Sequence, residues 1–131
     1  MTRNTQPIAQ YMSGAPVCIQ LDAELDAAVE LMERHGIRHL PVLDGTKLTG
    51  IVSDRDLGII ASILPGEKHR IRVAESMTPN PYTVTPDTPL RDVARGMADR
   101  KYGCALVVDD NGTLLGVFST HDALRILAGS D

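Results

Sequence analysis

The stretch Gly50-Ile51-Val52-Ser53-Asp54-Arg55-Asp56 reads as an apolar strand that ends on a hydroxyl residue and turns at once into a helix with acidic residues in its first turn. The same order of glycine, two apolar residues, serine and, three positions later, aspartate returns at Gly116-Val117-Phe118-Ser119-Thr120-His121-Asp122. A chain that carries this junction twice has to place two similar strand-to-helix units, so the fold is built from an internal repeat.

The repeat starts upstream of the junction. Ile8-Ala9-Gln10-Tyr11-Met12-Ser13 matches Val73-Ala74-Glu75-Ser76-Met77-Thr78 at an offset of 65, and both pieces suit a short lead-in helix closed by Pro16 and Pro81. Val17-Cys18-Ile19-Gln20 and Tyr82-Thr83-Val84-Thr85 then alternate as short strands. Leu25, Ala28, Val29 and Met32 share one helical face, as do Leu90, Val93, Ala94 and Met97. Asp22 is placed to cap the first of these helices, and Thr88 the second, with Pro89 at its first position. Gly36 supplies a left-handed stop after His35, and its counterpart Lys101 lacks the permissiveness of glycine.

Asp44-Gly45 between two apolar runs predicts a β-hairpin, and Asp109-Asp110-Asn111-Gly112 predicts a second that is one residue longer, where the offset grows from 65 to 66. Helices follow each junction over roughly 54–63 and 120–128. Each half is then βαββα and the class is mixed α+β, with repeats at 8–64 and 73–129 joined by a polar connector at 65–72 too short to let the halves drift apart.

Composition narrows the function. Aromatics are only 3% of the chain, so the core is aliphatic and methionine-filled, and stacking platforms for single-stranded nucleic acid are scarce. A formal charge of −4 argues against general nucleic-acid binding, which needs clustered lysine and arginine. Cys18 and Cys104 form no CxxC pair and read as reduced thiols of a cytoplasmic protein. The amino terminus lacks a signal-peptide pattern, and the most apolar segment, 57–64, falls far short of the ~20 residues of a membrane span.

The serine–aspartate spacing of each junction has two readings. It is that of a capping box, in which the hydroxyl accepts from a first-turn amide while the carboxylate reaches back. It also suits ligand binding, because free amides at a helix start attract anions and the carboxylates of Asp56 and Asp122 can accept two hydrogen bonds from a sugar diol. Arg55, in the first turn beside Asp56, can reach a phosphate or serve as a surface charge, and the basic connector Lys68, His69, Arg70 and Arg72 divides between the same two roles. His35 and His39 have i,i+4 spacing, but Gly36 interrupts the helix and no HExxH glutamate is present, so no zinc site is expected. No GxSxG, phosphate-loop or GxGxxG pattern points to catalysis.

With the twin βαββα pattern, the stretch Ile37-Arg38-His39-Leu40-Pro41-Val42 and the two junctions, the chain from Ile8 to about Ala128 resembles the paired cystathionine β-synthase (CBS) domains known as a Bateman module. The resemblance implies two repeats packed about a pseudo-twofold axis, with clefts for AMP, ADP, ATP or S-adenosylmethionine. In this sequence Asp56 and Asp122 would hold ribose hydroxyls, with Ser53 and Ser119 beside them and Arg55 and His121 adjoining. Backbone near Val17 and Ile19, His39 and Pro41, Thr83 and Thr85, and Ala105 would enclose the base. Because Arg55 matches His121 and Pro41 matches Leu106, the sites are expected to be unequal, with Asp122 favoured by the hydroxyls of Thr83, Thr85 and Ser119. The expectation is a stand-alone regulatory module, not an enzyme, with no catalytic or metal residues, that forms a homodimer and signals to a regulated protein. The alternative is a ligand-free dimerisation or interaction module whose junctions are only caps.

Overall fold

In the computed structural model, which describes residues 2–63 and 70–129, the chain runs through α1 (Thr2–Thr5), a 3-10 turn (Ile8–Gln10), β1 (Ser13–Gly14), β2 (Ile19–Gln20), α2 (Leu25–His35), β3 (His39–Asp44), β4 (Lys47–Ser53) and α3 (Asp54–Ile63). It continues through α4 (Val73–Ser76), β5 (Thr78–Pro79), β6 (Thr83–Val84), α5 (Leu90–Arg100), β7 (Cys104–Val108), β8 (Leu114–Ser119) and α6 (Thr120–Leu127). The mixed α+β class and both hairpins are as the sequence predicts. Leu64 and residues 65–69 of the connector, with Lys68 and His69, lie outside the described residues.

The chain divides into two compact units: an inner one, Val17–Pro81, and an outer one made of Met1–Pro16 and Tyr82–Asp131. Sequence repeats and compact units therefore do not coincide, because each unit takes the main body of one repeat and the lead-in segment of the other. The inner sheet has the order β2-β3-β4-β5 and the outer sheet the order β1-β8-β7-β6. In both, the lead-in contributes the antiparallel edge strand, with β5 along β4 and β1 along β8.

Backbone hydrogen bonds fix this exchange in the same pattern twice. In the inner unit the Val73 and Ala74 amides donate to the carbonyls of Ala23 and Leu21 at 2.8 and 2.9 Å, and the first amide of α2, Leu25, donates to Ile71 at 3.0 Å. In the outer unit Ile8 and Ala9 donate to Thr88 and Pro86 at 2.8 and 3.1 Å, and the first amide of α5, Leu90, donates to Gln6 at 2.9 Å. The leading amides of a helix have no intrahelical acceptor, so a carbonyl brought in by the lead-in replaces a side-chain cap.

That replacement corrects two expectations. Asp22 does not cap α2: the N-cap is Glu24, which makes no side-chain cap bond, and the Asp22 carbonyl instead accepts from Arg72 Nη1 at 3.1 Å. Thr88 does not cap α5: Pro89 is the N-cap, and the Thr88 hydroxyl accepts from the Thr85 amide at 3.2 Å. Arg72, also 3.9 Å from Glu24, thus serves the local structure of the connector.

The lead-ins complete both cores. Val73 joins Ile19, Leu25, Ala28, Met32, Leu40, Val42, Val52 and Leu57, while Ile8 joins Leu90, Val93, Met97, Ala105, Val107, Phe118 and Ile126. Both lead-in side chains are fully buried, which is worth about 1.5–3 kcal/mol each. At the other end of the helices, Gly36 adopts the left-handed conformation at φ 62°, and Lys101 does the same at φ 60° despite its Cβ. The bonds that close the helix, Ile37 N–H to Met32 and Tyr102 N–H to Met97 at 3.0 and 2.9 Å, are alike in both units and hold Lys101 in place.

The glycine that opens each junction is where the exchanged strand crosses. A Cβ on Gly50 would lie 2.8 Å from the carbonyl oxygen of Thr78, and one on Gly116 would lie 2.8 Å from that of Ser13. Gly116→Ala should therefore force β1 away from β8 and lower unfolding stability by about 1–3 kcal/mol in denaturant titration. Gly14→Ala, where a Cβ meets nothing within 4 Å, is the control and should leave stability nearly unchanged. Equal stability of the two variants would show that the crossing tolerates a methyl group.

Candidate functional site

Each strand-to-helix junction is locked before any ligand is considered. At the inner one, the Ser53 amide donates to Asp56 Oδ2 at 3.2 Å and the Asp56 amide donates to Ser53 Oγ at 3.1 Å. At the outer one, Asp122 Oδ2 accepts from the Ser119 amide at 2.8 Å and from its hydroxyl at 3.0 Å, while the Asp122 amide donates to Ser119 Oγ at 3.2 Å. Both are reciprocal capping boxes. Only Oδ2 is used, so among the described residues Oδ1 of each half-buried carboxylate has no hydrogen-bond partner. The cap fixes the carboxylate rotamer and leaves one acceptor oxygen open at the helix start.

Strand register decides what stands beside each cap. In the inner sheet His39 pairs with Ser53, and the Arg38 carbonyl accepts from the Asp54 amide at 2.9 Å. In the outer sheet Cys104 pairs with Ser119, and the Gly103 carbonyl accepts from the Thr120 amide at 3.0 Å. Arg55 and His121, each second in its helix, are exposed. Burial pushes the Cys104 thiol up to about 12 and the Cys18 thiol above its usual range, so both are held as neutral thiols. Burial also lowers His39, opposed by the charges of Asp54 and Asp56 and reinforced by Arg38.

The other predicted positions divide by depth. Val17 is half-buried and lies one register step from His39, because Ile19 pairs with Val42 in parallel. Ile19, Pro41 and Ala105 are buried side chains, so only their backbone is open to a role. Thr83 pairs with Leu106, and Thr85 lies four residues beyond the level of Cys104 and Ser119, roughly 13 Å along the sheet. The Thr85 hydroxyl donates to Asp87 Oδ1 at 2.6 Å and lies 2.9 Å from the Thr88 hydroxyl. Thr85 therefore belongs to the turn before α5 and not to the outer junction.

Sequence reading passed over two features. Arg38 adjoins α3 through the pairing of β3 with β4, and the hairpin signal at Asp44-Gly45 does not by itself give the register that brings them together. The outer unit also carries an aromatic cluster: Tyr82 and Tyr102 stack at 5.6 Å, with the Arg100 guanidinium 5.0 Å from the Tyr82 ring. At an offset of 65 the inner unit has Val17, Ile37 and His35, so the aromatic edge is peculiar to one unit. The signal was three bulky residues in a chain otherwise poor in aromatics, but their meeting depends on Tyr82 lying against α5 at Gly96.

Among the described residues, no group of three or more His, Cys, Asp or Glu side chains is placed to hold a metal ion, and no helix is long and apolar enough to cross a membrane.

Comparison with known proteins places this geometry among relatives. The family described as CBS domain matches residues 8–57 and 72–129. A CBS domain-containing protein of Dictyostelium discoideum is 33% identical over 130 residues, covering 92% of this chain and 90% of that one. Three further relatives are longer, and the chain spans 21%, 23% and 43% of their lengths. The CBS domain pair of protein MJ0100, solved with 5′-methylthioadenosine and S-adenosylmethionine, superposes with a TM-score of 0.86 at 25% identity over 97% of this chain and 99% of that one. CBSX2 of Arabidopsis thaliana, solved with AMP, gives 0.81 at 27% identity over 95% and 97%.

His39 gives this site a pH signature. Its folded pKa lies below the unfolded value near 6.5, so the unfolded chain takes up the proton first and stability falls as pH drops through that value. The wild type should lose more thermal stability between pH 7.5 and pH 5.5 than His39→Gln, which has no proton to bind. Parallel melting curves for the two proteins would show that burial of His39 carries no such cost.

Proposed function

The chain belongs to the CBS-domain family, and from that premise we propose that it is a regulatory module that binds an adenosyl ligand and signals to a protein partner. The candidate ligands are AMP, ADP, ATP and S-adenosylmethionine. The observation that carries this reading is the pair of junctions, each with a carboxylate whose Oδ2 is held by the helix cap while Oδ1 stays open at the helix start. A ribose diol needs such an acceptor, and the amides of the first helical turn favour any negative charge beside it. Solved CBS pairs similar to this chain hold 5′-methylthioadenosine, S-adenosylmethionine or AMP, which supports the same ligand class here. The role is recognition and not catalysis, and cysteines held as neutral thiols suit a cytoplasmic setting.

A ligand-free interaction module is the second reading. It draws on the apolar side chains left exposed on the two helices that follow the junctions, Ile59 and Ile63 on α3 and Leu124 and Leu127 on α6. Leu127 is 84% exposed, and a second copy of the chain would cover such positions in a closed twofold dimer. Light scattering at micromolar protein should report that dimer, and a monomer would remove it from either reading.

Thermal melts with each candidate ligand separate the readings, since saturation at 100 times the Kd adds about 2.7 kcal/mol of stability. The two junction carboxylates give the sharper test. Asp56→Asn and Asp122→Asn keep an oxygen for the cap and should lower stability by about 1 kcal/mol or less. Loss of charge-assisted bonds to a ribose should weaken binding about 10- to 100-fold in calorimetry. Variants that bind as wild type does while losing stability would leave the junctions as caps only.

A further inference from the structure

The two junctions have the same cap but different surroundings, and the difference is chemical. Arg38 and Arg55 flank the start of α3: the Arg38 carbonyl holds the Asp54 amide, and Arg55 follows as the second helical residue. Both side chains are exposed, and neither guanidinium has a hydrogen-bond or ion-pair partner among the described residues. The matching positions around the start of α6 are Gly103, whose carbonyl holds the Thr120 amide, and His121. The outer junction therefore has no guanidinium at either position, while Asp122 keeps its carboxylate there.

We infer that the inner junction takes an adenosyl ligand bearing a 5′-phosphate and the outer junction one without phosphate, such as a thioether or sulfonium. This rests on the adenosyl reading above and adds the ligand class of each site. A guanidinium is the side chain whose planar donors match phosphate oxygens two at a time, and two residues that carry one flank a helix start whose dipole favours the same charge. At the inner junction two guanidinium groups balance the carboxylates of Asp54 and Asp56, whereas at the outer junction a phosphate would meet the Asp122 carboxylate with no guanidinium at the matching positions, and a neutral or cationic 5′ group meets no such penalty. Arg38 is free for this role because its structural task is done by its carbonyl.

The test is calorimetry on the full chain with two probes, AMP and 5′-methylthioadenosine. Arg38→Ala and Arg55→Ala should each weaken AMP about tenfold and leave 5′-methylthioadenosine unchanged, with melting temperatures as in wild type because neither guanidinium makes a structural bond. Asp56→Asn should weaken AMP selectively, and Asp122→Asn should weaken 5′-methylthioadenosine selectively. If AMP binds but ignores both arginine substitutions, or if both probes weaken together, the assignment is overturned while the adenosyl reading stands. A wild type that takes only one of the two probes overturns the pairing of ligand classes. Binding of neither probe overturns the adenosyl reading and this assignment with it.

Discussion

Everything in this fold depends on where the first amides of α2 and α5 find their acceptors. Neither helix has a side-chain cap, so the amides of Leu25 and Leu90 would be left without partners if the carbonyls of Ile71 and Gln6 were not delivered to them. Delivering those carbonyls brings in the lead-in segments, which bury Val73 and Ile8, lay β5 and β1 along the sheet edges and pass over Gly50 and Gly116. An unmet backbone donor in a buried setting costs about 1–3 kcal/mol, comparable to what each buried lead-in side chain contributes. Neither repeat can complete a unit from its own residues. The exchange ties the repeats together through backbone bonds spread over several residues, so no side-chain truncation removes them.

This explains how far local pattern could go. Helical faces, hairpins and junctions were legible because each is a short-range consequence of period, turn chemistry or capping, and Leu25, Ala28 and Met32 are buried as their spacing requires. The exchange was not legible, because the match between Ile8 and Val73 at an offset of 65 is identical whether a lead-in packs on its own repeat or on the other. The caps at Asp22 and Thr88 failed for the same reason, since a carbonyl distant in sequence had taken the place of a side chain. Lys101 takes the left-handed conformation without the permissiveness of glycine because residue preference is weaker than the demand of the bonds that close α5.

At the junctions, the serine and aspartate were legible as caps, and the geometry of those caps is compatible with the ligand role proposed for them. A side chain that must hold a ribose hydroxyl works best when its rotamer is already fixed, and the capping box supplies that without using both oxygens. Thr85 had entered the outer site through its hydroxyl and its closeness in sequence to Thr83. The parallel register of β6 on β7 carries it to the opposite end of the sheet, where its hydroxyl is used in a turn.

Comparing the two repeats within this chain separates structural work from chemical work. Positions whose residue type the architecture requires are the same in both: glycine at 50 and 116, serine at 53 and 119, aspartate at 56 and 122, methionine at 12 and 77. Where the repeats differ around the junctions, the fold is served by backbone. Arg38 and Gly103 each offer only a carbonyl to the following helix, and His39 and Cys104 hold their places through strand pairing with Ser53 and Ser119. Arg55 and His121 project from the first turn, where neither is needed to complete a cap. Side chains released from structural duty can diverge without loss of the fold, and here the released positions adjoin the helix start that carries each capped aspartate. Divergence at those places changes the charge beside each junction, Arg38 and Arg55 against Gly103 and His121, and leaves the scaffold unchanged.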